Sequence, residues 1–477
     1  MIQDMPRHFK PYNIDQLLLL PPNLREWLPN DHLSLYLAEL LNAMDLSAIW
    51  ESYQRKDSRG RDGYHPLMMV RLIVYGYSIG VTSSRKIEKA TYEDVAFRVL
   101  SADLHPDHDT IANFRSEHLY ALAGLFAQVL KLCSRAGLVK LGHVSIDGTK
   151  IAANASKHKS MTYSRMVDEE ERLRVIAEQL LTDAARVDAE EDARYGKGVR
   201  GDELPPDLRD PTTRRQKIRE AVAALEQEAR EAAAAKAEQA QMDEQQRTQN
   251  GKKSGKNSPA QPPVEEKSEE AKPDPKAQRN FTDPDSRIMP NSVHKGSFLQ
   301  GYNAQIAVDD TAQIIVATVV TQCANDVRQL IPVAEEMLDN VGKLPDVITA
   351  DAGYFSQENV EDVLFRNTLL LVPPVRIKHR ADMTESLKKS TATRNRSAAA
   401  AAMREKLAME ENRALYKRRK AIVEPVFGQI KEVRGFRRFA LRGFQKVTAE
   451  FDLIALTHNL LKLFRHQKSL RNTLCPA

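Results

Sequence analysis

Three acids in this chain stand where a carboxylate could do more than face water. Glu424 lies in YKRRKAIVEPVFGQIK, residues 416 to 431, with Lys417, Arg418, Arg419 and Lys420 before it and Lys431 after it. On a helix Tyr416, Lys420 and Glu424 are spaced i, i+4 and i+8, and Lys431 lies two turns beyond the acid, so all four share one face. Pro425 should kink that helix or begin a new one. Taken alone, the stretch reads first as a solvated amphipathic helix with an ion pair. Its second reading is a metal-ligating carboxylate on a surface that holds nucleic-acid phosphates.

Two aspartates favour the second reading. Val144, Ser145 and Ile146 read as a short buried strand with Asp147-Gly148 at its C-terminal end, and the strand Asp346–Ala350 is followed in the same way by Asp351. In open α/β sheets, reactive groups gather where strands end, although Asp-Gly is also the commonest tight-turn dipeptide. If the two strands are neighbours, the aspartates come side by side and a late helix can lay Glu424 against them. Three carboxylates disfavour one another's ionisation unless a cation is present. Their hard oxygens suit Mg²⁺ or Mn²⁺, and two such ions about 3.5–4 Å apart can promote attack at a phosphodiester. Rival acids fit less well. Asp346 begins its strand and should face away, Glu432 points about 100° from Lys431 on a helix, and Asp283 and Asp285 read as turn and cap residues.

These residues need elements to position them. Residues up to about 135 show helical apolar periodicity at Leu33–Met44, Pro66–Tyr77, Ser84–Leu100 and Ala112–Leu132, the last capped by Asp109 or Thr110. After the Asp147 strand, near-heptad apolar spacing predicts an antiparallel helical hairpin over about 164–247. A Gln-, Lys-, Glu- and Pro-rich stretch over about 248–280 predicts disorder. Gly301–Val308 and Gln313–Gln322 then read as strands around an Asp309-Asp310-Thr311 turn. A helix begins at an Asn325 or Asp326 cap, and further on come the strands 346–350 and 369–375, a helix from about Ser397, and a long C-terminal helix. The domains expected are 1–138, helical and DNA-binding; 139–156 with 297–470, an α/β catalytic domain; and 157–296, an insertion.

Composition narrows the classes. The chain has 477 residues, and its three cysteines lack the spacing of a disulfide framework or zinc site, which points to a reducing, cytoplasmic setting. No apolar run approaches the roughly 20 residues of a membrane span. The net charge is only +5, but residues 413–446 hold eleven Lys and Arg against two acids, interleaved with apolar groups. Such a cluster is the footprint of a polyanion partner, and its apolar residues argue against a disordered tail.

Read together, VSIDGTKIAANAS, TDPDSRIM, GYNAQIAVDD, the Asn325-Asp326 region, ITADAGYFS and YKRRKAIVEPVFGQIK resemble, in order, a bacterial insertion-sequence transposase with an RNase H-like core and a DDE triad. The likeness is to the group whose third acid lies in a Tyr…Arg…Glu…Lys motif. The resemblance implies that Asp147, Asp351 and Glu424 ligate two Mg²⁺ or Mn²⁺ ions, and that Tyr416, Arg419, Lys420 and Lys431 contact DNA. The motif usually has three residues between Arg and Glu, whereas four separate Arg419 from Glu424, which leaves Arg419 and Lys420 as alternatives. It implies as partners the terminal inverted repeats of a mobile element and target DNA, a homodimeric complex, and a location at the nucleoid. The expected activity is phosphodiester hydrolysis at the element's ends followed by 3′-hydroxyl strand transfer. The alternatives are a structure-specific nuclease and a non-catalytic DNA-binding derivative.

Overall fold

The computed structural model describes residues 23–54, 63–175, 216–235, 273–275, 277–291, 296–375 and 397–474. The stretch expected to be disordered falls largely outside them, as do the middle and end of the expected hairpin. The chain divides into two compact units, Met1–Leu138 with Leu453–Ala477, and Val139–Asp452.

The first unit is helical: α1 (Leu33–Asn42), α2 (Ser47–Gln54), α3 (Pro66–Ile79), α4 (Ser84–Glu93), α5 (Val95–Ser101), α6 (His108–Glu117) and α7 (Leu119–Arg135). Two periodic runs expected as single helices are each broken by a polar residue. Asp94 ends α4 and caps α5, its Oδ1 accepting from the backbone N–H of Ala96 at 2.8 Å and Phe97 at 3.1 Å. His118 separates α6 from α7. The cap of α6 is Asp107, which accepts from Thr110 N at 2.7 Å, rather than Asp109 or Thr110. Helix α3 is buried on nearly every side, ends at Gly80 (φ 84), and meets α4 at 99°. Among the described residues no single helix is long and apolar enough to cross a membrane.

The second unit is built on a mixed sheet. Its strands are β1 (His143–Ala152), β4 (Arg287–Pro290), β5 (Phe298–Asp309), β6 (Ile315–Thr321), β7 (Val347–Thr349) and β8 (Leu369–Leu371); β2 (Ser160–Thr162) and β3 (Gln278–Asn280) pair separately. The path is β4-β5-β1-β7-β8, with β6 also on β5. Strands β1, β5 and β6 form an antiparallel meander, while β7 and β8 run parallel to β1. This is an RNase H-like sheet with flanking helices. Around it stand α8 and α9 (the described helical segments 163–175 and 216–235), α10 (Leu330–Val341), α11 (Gln357–Glu361), α12 (Ala398–Ala408), α13 (Glu410–Gly428) and α14 (Phe444–Leu474).

Two expected boundaries shift. The sheet resumes at Arg287 rather than 297, because β4 pairs with the start of β5. The sheet unit also ends at Asp452 rather than 470, since α14 from Leu453 onward groups with the helical unit. Within that unit Cys133 Sγ lies 3.9 Å from Asn459 O, Tyr36 packs on Phe464, and Lys468 pairs with Asp31. The TDPDSRIM segment is a brace, as its turn-and-cap reading implied. Asp283 Oδ1 accepts from Tyr302 Oη at 2.9 Å and Gly443 N at 3.1 Å, and Asp285 Oδ2 accepts from Phe444 N at 2.9 Å.

Candidate active site

Asp147 does not end its strand. β1 runs five residues further, because β5 continues to pair with it as far as Ala152↔Gly301. What stops is β1's other neighbour. The parallel pairing to β7 reaches Ser145↔Thr349, and two residues further on each chain come Asp147 and Asp351. In a parallel ladder equal offsets keep side chains on one face, so the two aspartates come together where β7 leaves the sheet. Asp351 Oδ1 then accepts from Gly353 N at 2.7 Å and caps the short turn Ala352–Tyr354.

Helix α13 lies across β1, β5 and β7 and supplies the counter-charge. Arg419 is buried, and its Nη1 lies 3.2 Å from Asp147 Oδ2. Tyr416, one turn earlier, is half-buried with its ring 6.0 Å from that guanidinium. Burial pushes the Asp147 carboxyl up to about 6; Arg419 opposes the shift, and Asp351 and Asp326 add to it. Burial also raises the Tyr416 phenol.

The rest of the motif diverges. Lys420 and Glu424 are exposed and pair with each other at 3.8 Å. Among the described residues no three of His, Cys, Asp and Glu stand close enough to hold a metal ion, so Glu424 does not complete a set with the aspartates. Helix geometry accounts for this. Five residues carry Glu424 about 140° round from Arg419, where a four-residue step would have left it about 40° away. The expected single face of Tyr416, Lys420, Glu424 and Lys431 therefore does not form. Tyr416 and Arg419 face the sheet, and the stripe drifts outward beyond them. Pro425 does not start a new helix. α13 passes through it to Gly428 and widens into a π-turn over Gln429–Val433. That turn brings Lys431 back to β1, where its ammonium donates to Thr149 Oγ1 and, at 2.9 Å, to Lys150 O. Burial lowers the Lys431 ammonium to about 8.

The sequence places a helix cap at Asn325 or Asp326. The helix begins later, at Leu330, and Asp326 instead accepts from Asn303 Nδ2 at 2.6 Å and Gln305 Nε2 at 2.8 Å. The available signal was in the apolar strand GYNAQIAV, where Asn303 and Gln305 alternate onto one face, two polar residues in a run that buries both.

A hard divalent cation fits Asp147 and Asp351 by donor chemistry. Both offer oxygen, and Asp147 is a desolvated carboxylate already drawing a cation in Arg419.

The comparisons with known proteins agree with the architecture. A family model described as a transposase DDE domain matches residues 276–460, and a second, described as Transposase domain (DUF772), matches residues 22–117. The first begins just before β3, so it takes in Asp351, Arg419 and Glu424 and leaves out Asp147. Neither the curated proteins nor the solved structures gave a match. The chain thus carries a transposase domain of each kind, one on the helical unit and one on the RNase H-like sheet, a pairing typical of insertion-sequence transposases.

Proposed function

We propose that the chain cleaves phosphodiester bonds at the ends of a mobile DNA element in a metal-dependent step and joins the freed 3′-hydroxyl to target DNA. The observation that carries this is the parallel register of β1 and β7, which sets Asp147 beside Asp351 at the point where β7 ends. Asp147 and Asp351 would hold Mg²⁺ or Mn²⁺, two ions in the full reading. Glu424 enters as third acid through its motif rather than its position. The metal, when bound, activates a nucleophilic oxygen and stabilises the leaving one.

This chain's own groups do the positioning. Arg419 holds Asp147 ionised despite its burial, and it lies where a scissile phosphate would need a second cation. Lys431, held on Thr149 two residues along β1 from Asp147 and so on the same face, is placed for the DNA backbone. Tyr416 packs against Arg419 and limits its swing. Of the two alternatives for the motif's basic residue, this geometry favours Arg419, while Lys420 is left to the outer surface with the other exposed cations.

For DNA binding by the helical unit, α4 is the element best suited. It follows a short turn at near a right angle, as helix-turn-helix recognition elements do. Ile87 and Thr91 bury its inner face, and Glu88 pairs with His108 at 2.8 Å. Arg85, Lys86 and Lys89 are exposed on its outer side. The active form would be a homodimer holding two element ends.

The test is a Mg²⁺-dependent cleavage and joining assay on oligonucleotides from the DNA bordering the coding region. Asp147→Asn and Asp351→Asn should each lose cleavage by at least a hundredfold while binding the same duplex. Cleavage retained by either variant removes that residue from the site. Cleavage without joining would leave a nuclease, and binding without cleavage in the unsubstituted chain would leave a DNA-binding protein. Glu424→Gln decides the third acid: loss equal to the aspartates' requires α13 to turn when DNA is bound, and near-full activity takes Glu424 out of the chemistry.

A further inference from the structure

Beneath the two aspartates runs a chain of buried polar groups that none of the catalytic assignments uses. Gln305 of β5 faces Gly148 across the β1–β5 ladder and is fully buried. Its Nε2 donates to Asp326 Oδ1 at 2.8 Å, and its Oε1 accepts from Tyr354 Oη. Tyr354, also fully buried, is the third residue after Asp351, in the turn that Asp351 caps. The same amide lies flat on Gly148, next in sequence to Asp147: a Cβ at that position would fall 2.3 Å from Gln305 Nε2 and 2.7 Å from its Cδ. On the other side, a Cβ on Gly353 would lie 2.9 Å from Asp351 Oδ1 and 3.6 Å from Asp326 Oδ2, so these two carboxylates flank one peptide.

We infer that Gln305 is a positioning residue for the aspartate pair, spanning from Asp326 to Tyr354 and pressing on Gly148 so that the backbones carrying Asp147 and Asp351 keep one spacing. The inference rests on the reading of that pair as a divalent-cation site.

The argument is one of donor and acceptor counts. A glutamine amide offers donors at one end and an acceptor at the other. Here the acceptor end takes the Tyr354 hydroxyl and the donor end meets a carboxylate, so the hydrogen bonds run in one sense from Tyr354 to Asp326. No apolar residue could hold both ends, and a shorter amide could not reach across. Asn303, on the same face of β5 two residues earlier, donates to Asp326 Oδ1 at 2.6 Å and to Cys323 O at 3.1 Å, which fixes the carboxylate that Gln305 pulls against. Glycine at 148 is what allows the amide to pass over β1. Groups that orient a metal-binding carboxylate without touching the metal typically alter affinity or rate by about 10–100-fold.

The experiment uses the full chain carrying Gln305→Met, which keeps volume and loses both hydrogen bonds, and Tyr354→Phe, which loses one. Mn²⁺ binding is measured by calorimetry without DNA, duplex binding by fluorescence anisotropy, and cleavage as kcat and KM for DNA. The expected result for Gln305→Met is a cooperative thermal unfolding transition, Mn²⁺ affinity and kcat both down by about 10–100-fold, and KM for DNA unchanged. Tyr354→Phe should move the same two quantities in the same direction by less. Wild-type Mn²⁺ affinity in a folded Gln305→Met chain overturns the inference. So does a silent Tyr354→Phe beside a Gln305→Met chain that has lost its cooperative unfolding, the pattern of a merely structural role. Asp147→Asn separates the two levels. If it abolishes Mn²⁺ binding and Gln305→Met does not, only the role of Gln305 falls; if it leaves Mn²⁺ binding intact, the cation-site reading fails and takes Gln305 with it.

Discussion

Burial lifts the Asp147 carboxyl to about 6, and it lifts Asp452, which accepts from the Thr318 hydroxyl, to about 7. Both values lie above the unfolded value near 3.8, so the folded chain holds protons that the unfolded chain has released. The stability these groups contribute is complete below about pH 4 and is lost as the pH rises through about 6 and 7. Melting profiles between pH 4 and 8 should show that loss, and Asp452→Asn should flatten its upper part. Lys431 titrates in the opposite sense. With its ammonium lowered to about 8, DNA affinity should weaken as the pH rises from 7 to 9. Lys431→Arg, which keeps its charge, should remove that slope in anisotropy titrations. Equal slopes in the two proteins would take Lys431 off the DNA backbone.

Pro425 shows how an element keeps a residue that should break it. Proline has no N–H for the carbonyl four residues earlier, which belongs to Ala421. Gln313, from the turn between β5 and β6, supplies the missing donor at 3.0 Å, and it does so from a left-handed backbone (φ 59). In the same turn Asp310 pairs with Arg418 at 2.7 Å. The hairpin thus holds α13 at Arg418 and at Ala421, on either side of Arg419, and so favours the rotation that aims Arg419 at Asp147. Gln313→Ala should cost roughly 0.5–1.5 kcal/mol in urea unfolding. In a Pro425→Ala background, where the new backbone N–H can take that carbonyl, the cost should shrink toward zero. Additive effects in the double variant would refute the coupling.

Much of this layer was legible in the residues. The pairing of Asp147 with Asp351 was visible because each follows a short apolar run, although Asp147 lies inside β1 and only its neighbour β7 stops there. The rotation of α13 was not, because it depends on which of Arg419 and Lys420 meets the sheet, a choice the spacing left open, and on a π-turn that no periodicity announces. Asp326 was misplaced for a related reason: a capping residue and a buried hydrogen-bond acceptor look the same until the partner strand is in place.

At the scale of the whole molecule, the DNA-reading surface proposed on α4 and the proposed aspartate site lie in different units, so their variants should separate. Arg85→Ala, Lys86→Ala and Lys89→Ala on α4 should each weaken duplex binding and lower the dependence of log affinity on log salt by about one where the cation meets a phosphate. Stability should change little, since all three side chains are exposed. Unchanged binding and slope in all three would move the DNA-reading surface elsewhere.

One helix adds a constraint of timing. α14 begins under the sheet at Phe444, but from Leu453 it belongs to the unit whose other helices lie within the first 138 residues. Translation delivers α1 to α7 early, yet the groups that meet Cys133, Tyr36 and Asp31 arrive more than 300 residues later. A nascent or prematurely stopped chain therefore carries an unfinished helical unit, and the DNA binding proposed for that unit would mature only after the sheet has been made.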